Sequence, residues 1–529
     1  MQRPIAHRRQ PAEPSRREGG YTLAMTAILL VPLMLMAALA IDVGSWYVEA
    51  QQIQRAADAA ALAGVTYMPD HFSDAQDKAR DIAAKNGYVN GTNGVTVTAT
   101  PVPGNRRRLK VTITNPHVRT FFGSIVTKEI SITRAATAEY VVPVPLGSPR
   151  NYLGTGDLGK STTTFSPEYL WASINGYCTD SEQGDERASF YSTATCSGAT
   201  NENYSDLNYV YSVELPTTRT YSTDVILFDG NYRDGGGNAD DDNPGGQGQP
   251  AMNTTFTLYQ PDATILDDTD NPRMDSVTTG ACSSTGAGHK GTKTFAPDTT
   301  EGGYTFNPSS TNFTSSSSWW LLCTIPASAP GGRYLLRVSN QDEAGGIDLT
   351  QGANNFSIVA TPSSPQRLCD SRTDTTCPKV YANDYLSVRA ASDQDTANFY
   401  LSEIGPEHKG KKVIITLWDP AEGGNSISIR KPTGTNTWTN QTFDWTSTNA
   451  TYPGATNVSS IDVTGTKFNG QLLTISFTLP TTYAPPSDND WWQIAYKFGG
   501  TDARGNPITV SDRTTWSVSI LGDPVHLVG

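Results

Sequence analysis

Hydrophobic and polar positions divide this chain into unlike stretches. The first is an uncharged run, YTLAMTAILLVPLMLMAALAI, residues 21–41. About 20 consecutive apolar residues match the ~30 Å hydrocarbon core of a bilayer when wound as a helix. The run therefore predicts a membrane-spanning helix, with Pro32 tolerable inside it. The pattern then changes without a break. Residues 42–64, DVGSWYVEAQQIQRAADAAALAG, place Val43, Tyr47, Ala50, Ile53, Ala57 and Ala61 at spacings of three and four, one face of an α-helix. Glu49, Gln52 and Arg55 fall on the other side, the alanines favour helix and Gly64 is a stop signal. Trp46 and Tyr47 stand where an interfacial aromatic belt would lie.

Residues 65–145 read as a small α+β unit. SDAQDKARDIAAKNG is a short helix, with Ser73 as N-cap and Gly87 as C-cap. GVTVTATPV and RRRLKVTITN alternate as strands about a Gly104-Asn105 turn. HVRTFFGSIV suggests a short helix packing Phe121, Phe122 and Ile125, and KEISITRAATAEY is another strand. Arg106, Arg107 and Arg108 read as a solvated hairpin end rather than a lipid-headgroup contact. VVPVPLGSP, residues 141–149, is a linker stiffened by alternating prolines.

Beyond it the chain is β-rich and internally duplicated. EYLWASINGYCTDSEQGDERASFYS from Glu168 parallels DYLSVRAASDQDTANFYLS from Asp384. DVILFDG from Asp224 parallels VIITLWDP from Val413, and TTFTLYQPDAT from Thr254 parallels NSISIRKPTGT from Asn425. WWLLCTIPASAPGGRYLLRVS from Trp319 parallels LLTISFTLPTTYAPPSDNDWWQIAYKF from Leu472, and NNFSIVA from Asn354 parallels TWSVSIL from Thr515. The blocks keep their order. The expectation is two related antiparallel β-sandwiches, at 150–362 and 366–529, joined by TPSSPQ. The fold class is mainly β, preceded by a tail (1–20), the membrane helix (21–41) and the helix plus α+β unit (42–145).

The stretch IDVGSWYVEAQQIQRAADAAALAG resembles the N-terminal domain of TadG-like proteins of the Flp (Tad) pilus assembly system. They show an apolar segment, an aspartate-containing exit such as DVG, a tyrosine, a polar helix and ADAAALAG. The likeness covers about residues 19–65 well and extends more weakly to about 141. It implies a membrane or envelope-surface protein tied to pilus assembly or adhesion, with membrane lipid and other pilus or envelope proteins as partners. Pilins of this broad class are cut after a glycine before the apolar run, which would place processing between Gly20 and Tyr21. Met25 stands where the mature pilin usually has a glutamate, which argues against polymerisation as a major pilin. The DxSxS metal motif of a von Willebrand A-type domain is missing, and residues after about 150 lie outside the resemblance.

Charge adds orientation. The chain of 529 residues carries a formal net charge of −13, yet Arg3, Arg8, Arg9, Arg16 and Arg17 crowd its start. The positive-inside rule then keeps the tail cytoplasmic and exports the rest of a single-pass protein. An acidic body argues against nucleic acid. The rival reading is a secretory signal peptide cut after Ala38-Leu39-Ala40; the long apolar run and the uninterrupted helical pattern count against it. Six cysteines all follow residue 170 and form no CxxC pair, so exported disulfides are expected. The nearest-neighbour set is Cys178–Cys196, Cys282–Cys323 and Cys369–Cys377.

Candidate chemistry is sparse. The six histidines (His7, His71, His117, His289, His408, His526) are scattered, without HExxH. GxSxG is absent too. No catalytic site, cofactor or small-molecule substrate is expected. The acidic loop 229–246 offers Asp229, Asn231, Asp234, Asp240, Asp241 and Asp242 as oxygen ligands for calcium, although its spacing fits no EF-hand. Trp319-Trp320 and Trp491-Trp492 occupy corresponding blocks and invite a glycan platform, but one of each pair should face the core. Besides the anchored structural protein, two other readings stand: a glycan- or calcium-dependent binding module on the same anchor, and a secreted enzyme with an unrecognised site.

Overall fold

A computed structural model describes residues 19–68, 72–102, 105–122, 128–140, 144–154, 169–176, 179, 181–187, 209–229, 253–262, 268–275, 282, 290–295, 304–306, 316–340, 353–392, 396–421, 424–498, 510–521 and 525–528. Two compact units emerge: residues 1–140 with 525–529, and residues 141–524.

The first unit is built on one helix, α1 (Gly19–Val65), of 47 residues with Pro32 inside it. A second helix, α2 (Phe72–Lys85), begins one residue before the expected Ser73 cap. Its end is as expected. Tyr88 N donates to Ala83 O at 2.9 Å and Gly87 N to Ala84 O at 2.9 Å, with Gly87 at φ +94°. That pair of bonds is the Schellman motif, which needs a left-handed residue. Strands β1 (Thr96–Val102), β2 (Asn105–Arg119) and β3 (Glu129–Tyr140) form an antiparallel meander. The C-terminal strand Val525–Val528 joins its edge, with Val525 opposite Tyr140. This corrects the sequence reading, which gave the whole C-terminus to the second sandwich; four residues carry too little pattern to reveal a partner so distant in sequence. The short helix expected over HVRTFFGSIV is also corrected. His117–Arg119 continue β2, and Phe121 and Phe122 are exposed. A bulge between Asn115 and Val118 hid the strand period there; Ile125 lies outside the described residues.

In the second unit the first copy supplies β4 (Leu146–Gly147), β5 (Tyr152–Leu153), β6 (Tyr169–Asn175), β7 (Tyr209–Leu215), β8 (Thr223–Asp229), β9 (Thr254–Tyr259), β10 (Thr292–Phe295), β11 (Tyr304–Phe306), β12 (Ser316–Ile325), β13 (Gly332–Ser339) and β14 (Ala353–Pro362). The second supplies β15 (Lys379–Ala382), β16 (Tyr385–Ser392), β17 (Thr396–Glu403), β18 (Lys412–Trp418), β19 (Ser426–Gly434), β20 (Thr437–Asn440), β21 (Phe443–Ser447), β22 (Gly454–Val458), β23 (Ile461–Asp462), β24 (Leu472–Thr478), β25 (Trp491–Lys497) and β26 (Val510–Ile520). Strand order is repeated. One sheet runs β9-β13-β7 in the first copy and β19-β25-β17 in the second; the other runs β12-β8-β14-β6 and β24-β18-β26-β16.

The two sandwiches share their sheets. β6 pairs with β16, and β7 reaches β17 through β15 and β4. Ala172 lies opposite Val388. These are equivalent positions when Tyr169 is aligned with Tyr385, so the copies meet about a local two-fold axis, as in an isologous dimer. One hydrophobic core runs through both, from Leu146 and Phe256 to Ile475 and Trp516. Alternation explains the strands. Val413, Ile415 and Leu417 of β18 are buried, and they face Phe477, Ile475 and Leu473 of β24 in register. Fully burying each such side chain stabilises by about 1.5–3 kcal/mol.

Asp185 is the polar node of this joint. It accepts from Asn175 N at 3.1 Å, Arg187 N at 3.1 Å and the Tyr209 hydroxyl, and Thr515 of β26 lies at 3.4 Å. Burial pushes its carboxyl up to about 7, although these hydrogen bonds act in the opposite direction. Trp418 of the second copy donates to Ser181 O at 2.8 Å beside it.

Candidate functional site at the exit of the long helix

The two halves of α1 have different surroundings. From Leu23 to Ile41 the described side chains are exposed apart from a half-buried Ala38. The segment is long and apolar enough to cross a membrane. The 21 residues from Tyr21 to Ile41 carry no charge and rise about 32 Å at 1.5 Å each. From Asp42 onward the helix has a buried face: Ala50, Ile53, Ala56, Ala57, Ala60 and Ala61 pack inside the unit. Val43 and Tyr47, expected on that face, are exposed. The packed face is rotated away from them and runs instead through Asp42, Ala50, Ile53, Ala56 and Ala60.

This half of α1 runs antiparallel to β2. A Cβ on Gly64 would stand 2.7 Å from Leu109 Cδ2. Further back along the helix, Asn115 Nδ2 donates to Glu49 Oε1 at 3.1 Å. At the exit, Phe121 N donates to Asp42 Oδ1 at 2.7 Å, and Phe122 N lies 3.1 Å from Oδ2 and 3.2 Å from Oδ1. Asp42 is only 2% exposed. Its carboxylate therefore pins the bend after β2 to the point where the uncharged run ends. A charge-assisted hydrogen bond of this kind is roughly twice as strong as a neutral one.

Polar groups gather one level further along. Tyr88 donates to Glu49 Oε1 at 3.1 Å; burial, reinforced by the Glu49 charge, raises its phenol well above the usual range. His117 Nδ1 and Glu129 Oε2 are 2.5 Å apart. With Gln52 and Arg119 these residues border an open cleft of about 630 Å³, which offers hydrogen-bonding groups to a polar partner.

The residues singled out from sequence fare unevenly. Cys282–Cys323 and Cys369–Cys377 are disulfides; Cys178 and Cys196 lie outside the described residues. Asp229 ends β8 with its backbone opposite Phe356, while Asn231, Asp234, Asp240, Asp241 and Asp242 lie outside the description. No group of three metal-ligating side chains occurs among the described residues. Gly20 and Tyr21 fall in the first turn of α1. The tryptophan pairs are corrected: Trp319-Trp320 sit on β12 and Trp491-Trp492 on β25, which are not equivalent strands. Trp319, Trp491 and Trp492 are fully buried, and Trp492 stacks on Phe477 at 5.0 Å. Both Trp491 and Trp492 are internal because Tyr400 and Trp438 cover the outer face of β25. A glycan platform at these three indoles has no exposed ring to use. The duplication needs one adjustment as well: the counterpart of β17 is β7, Tyr209–Leu215, not residues 188–192.

Sequence reasoning missed the bond of Asp42 to the bend after β2. The signal was there: an aspartate at the end of a membrane run needs hydrogen-bond donors, and two consecutive phenylalanines outside any apolar period are out of place in a solvated loop.

These features define a class: a β-sandwich protein with an N-terminal helix built half for an apolar medium and half for a small α+β head. Residues 19–77 match the family model described as putative Flp pilus-assembly TadE/G-like, so the α1–α2 region is Tad-like. No curated protein and no solved structure matches the chain.

Proposed function

We propose that this chain is a single-pass membrane-anchored component of Flp/Tad pilus assembly or of the adhesion that depends on it, with a structural, non-catalytic role and no cofactor. One observation carries the reading: the segment matching the pilus-assembly family is the same helix whose uncharged half is exposed along its length. An exposed run of this composition is stable only in an apolar medium. The arginine-rich tail orients the protein with its N-terminus cytoplasmic and the sandwiches outside. Disulfides in the sandwich unit accord with an oxidising compartment. Membrane lipid and other envelope or pilus proteins are the partners.

The test is fractionation with protease protection of intact cells, followed by deletion. The expected result is a membrane-bound protein whose sandwiches are digested from outside, and loss of pili or attachment without it. A soluble cytosolic protein with reduced thiols, or normal piliation and attachment in the deletion strain, would overturn the reading.

A further inference from the structure

Phe121 and Phe122 are 65% and 54% exposed. Both amides are bound by Asp42, which fixes the backbone that carries the two rings. Asp42 directly follows the uncharged run, so whatever it holds lies at the boundary between hydrocarbon and headgroups. The exposed Ile41, Val43 and Tyr47 of α1 lie at that level too. Because β2 runs antiparallel to α1, the Thr120–Phe122 bend at its end is, among the described residues, the part of the head that Asp42 holds at this depth.

We infer that the Thr120–Phe122 bend is a second membrane contact, in which the Phe121 and Phe122 rings enter the interface of the leaflet that α1 leaves at Asp42. The inference rests on α1 spanning the bilayer and adds to it. One helix alone leaves the head free to rock and rotate; anchors at the interface set tilt and rotation. Asp42 acts here as a positioning residue. Its charge, costly near hydrocarbon, is taken up by two peptide donors that come from the same bend. Lipid is the occupant because the rings are tied to the boundary itself, where Trp, Phe and Leu side chains of surface-lying segments bury themselves between headgroups and acyl chains.

The experiment places the photo-crosslinker p-benzoylphenylalanine at position 121 or 122 of the full chain in phosphatidylethanolamine–phosphatidylglycerol vesicles. Reporters at Leu35, inside the apolar run, and at Val89, exposed near the level of Glu49, bracket the depth. Lipid adducts are expected at 35, 121 and 122 and not at 89, with adducts at 121 and 122 lost in an Asp42→Ala background while those at 35 persist. Adducts at 35 but none at 121 and 122, adducts there to protein instead of lipid, or equal adducts at 89 overturn the inference and leave the anchor standing. No lipid adduct at 35 removes the anchor and the inference with it.

Discussion

The two halves of α1 form one uninterrupted helix, yet they are built for opposite neighbours. Between Tyr21 and Ile41 the helix carries leucine, methionine, isoleucine and valine all round, and these side chains are exposed. Between Asp42 and Val65 the contact positions are mostly alanine, and they are buried. Side-chain size makes the difference. Long side chains on every face suit a fluid apolar solvent. Small ones on a single face let a backbone approach closely, and α2 and the sheet use that space. The two glycines show the same contrast. Around Gly44 an added Cβ meets nothing within 4 Å, whereas at Gly64 it would stand 2.7 Å from Leu109 Cδ2 and 2.8 Å from the Ala75 carbonyl oxygen.

The comparison breaks most severely if a charge is placed in the packed half. Ala60→Glu buries a carboxylate against α2 and the sheet, and should destabilise the head by about 3 kcal/mol or more. Loss of protease resistance in residues 42–140 reads this, and Leu33→Glu should leave the head intact. The reverse experiment is Leu30→Arg, near the centre of the apolar half. It should cost about 2.5–3.5 kcal/mol of insertion, seen as a smaller membrane-retained fraction with an unchanged head. Equal effects of the two charges in both assays would show that the halves are not distinct.

The boundary is sharpened by Asp42→Ala, which leaves two peptide N–H groups without their acceptor. A cost of about 1–3 kcal/mol is expected, visible as faster hydrogen exchange at Phe121 and Phe122; Asp42→Asn keeps an acceptor and should recover part of it. The smallest effects are the most discriminating. Gly64→Ala should destabilise the head by about 1 kcal/mol or more through overpacking. Gly44→Ala should stabilise the helix by up to about 1 kcal/mol. Thermal midpoints moving in the same direction for both would contradict the packing described.

Much of this was legible in the chain. Local signals survive where a period runs unbroken. The apolar run, the α2 pattern with Gly87 and the alternation in β18 and β24 are of this kind. The duplication is visible because its blocks keep their order, but at β7 a local likeness misleads: FYS at 190–192 mimics FYLS of the second copy, whereas NYVYSVEL from Asn208 supplies the strand. Reading failed at HVRTFFGSIV, where a bulge breaks the strand period at Asn115–Val118. At the tryptophan pairs the core reading holds, with Trp319, Trp491 and Trp492 buried, but their correspondence does not, since two neighbouring indoles look alike whichever strand carries them. The acidic residues of the 229–246 loop gave a composition and no geometry.

Sequence alone determined what each segment prefers: an uncharged run long enough for a bilayer, an alanine face at helical spacing, strands that alternate, a repeated order of blocks. Those preferences are local, because they depend on the chemistry of residues within a turn or two of one another. The tertiary structure decided the pairings between distant segments: β6 on β16 so that two sandwiches share sheets, the C-terminal strand beside β3, and Asp42 on the amides of Phe121 and Phe122. Such contacts join residues tens to hundreds of positions apart. Their energy comes from shape and hydrogen-bond complementarity that exists only once both partners are folded.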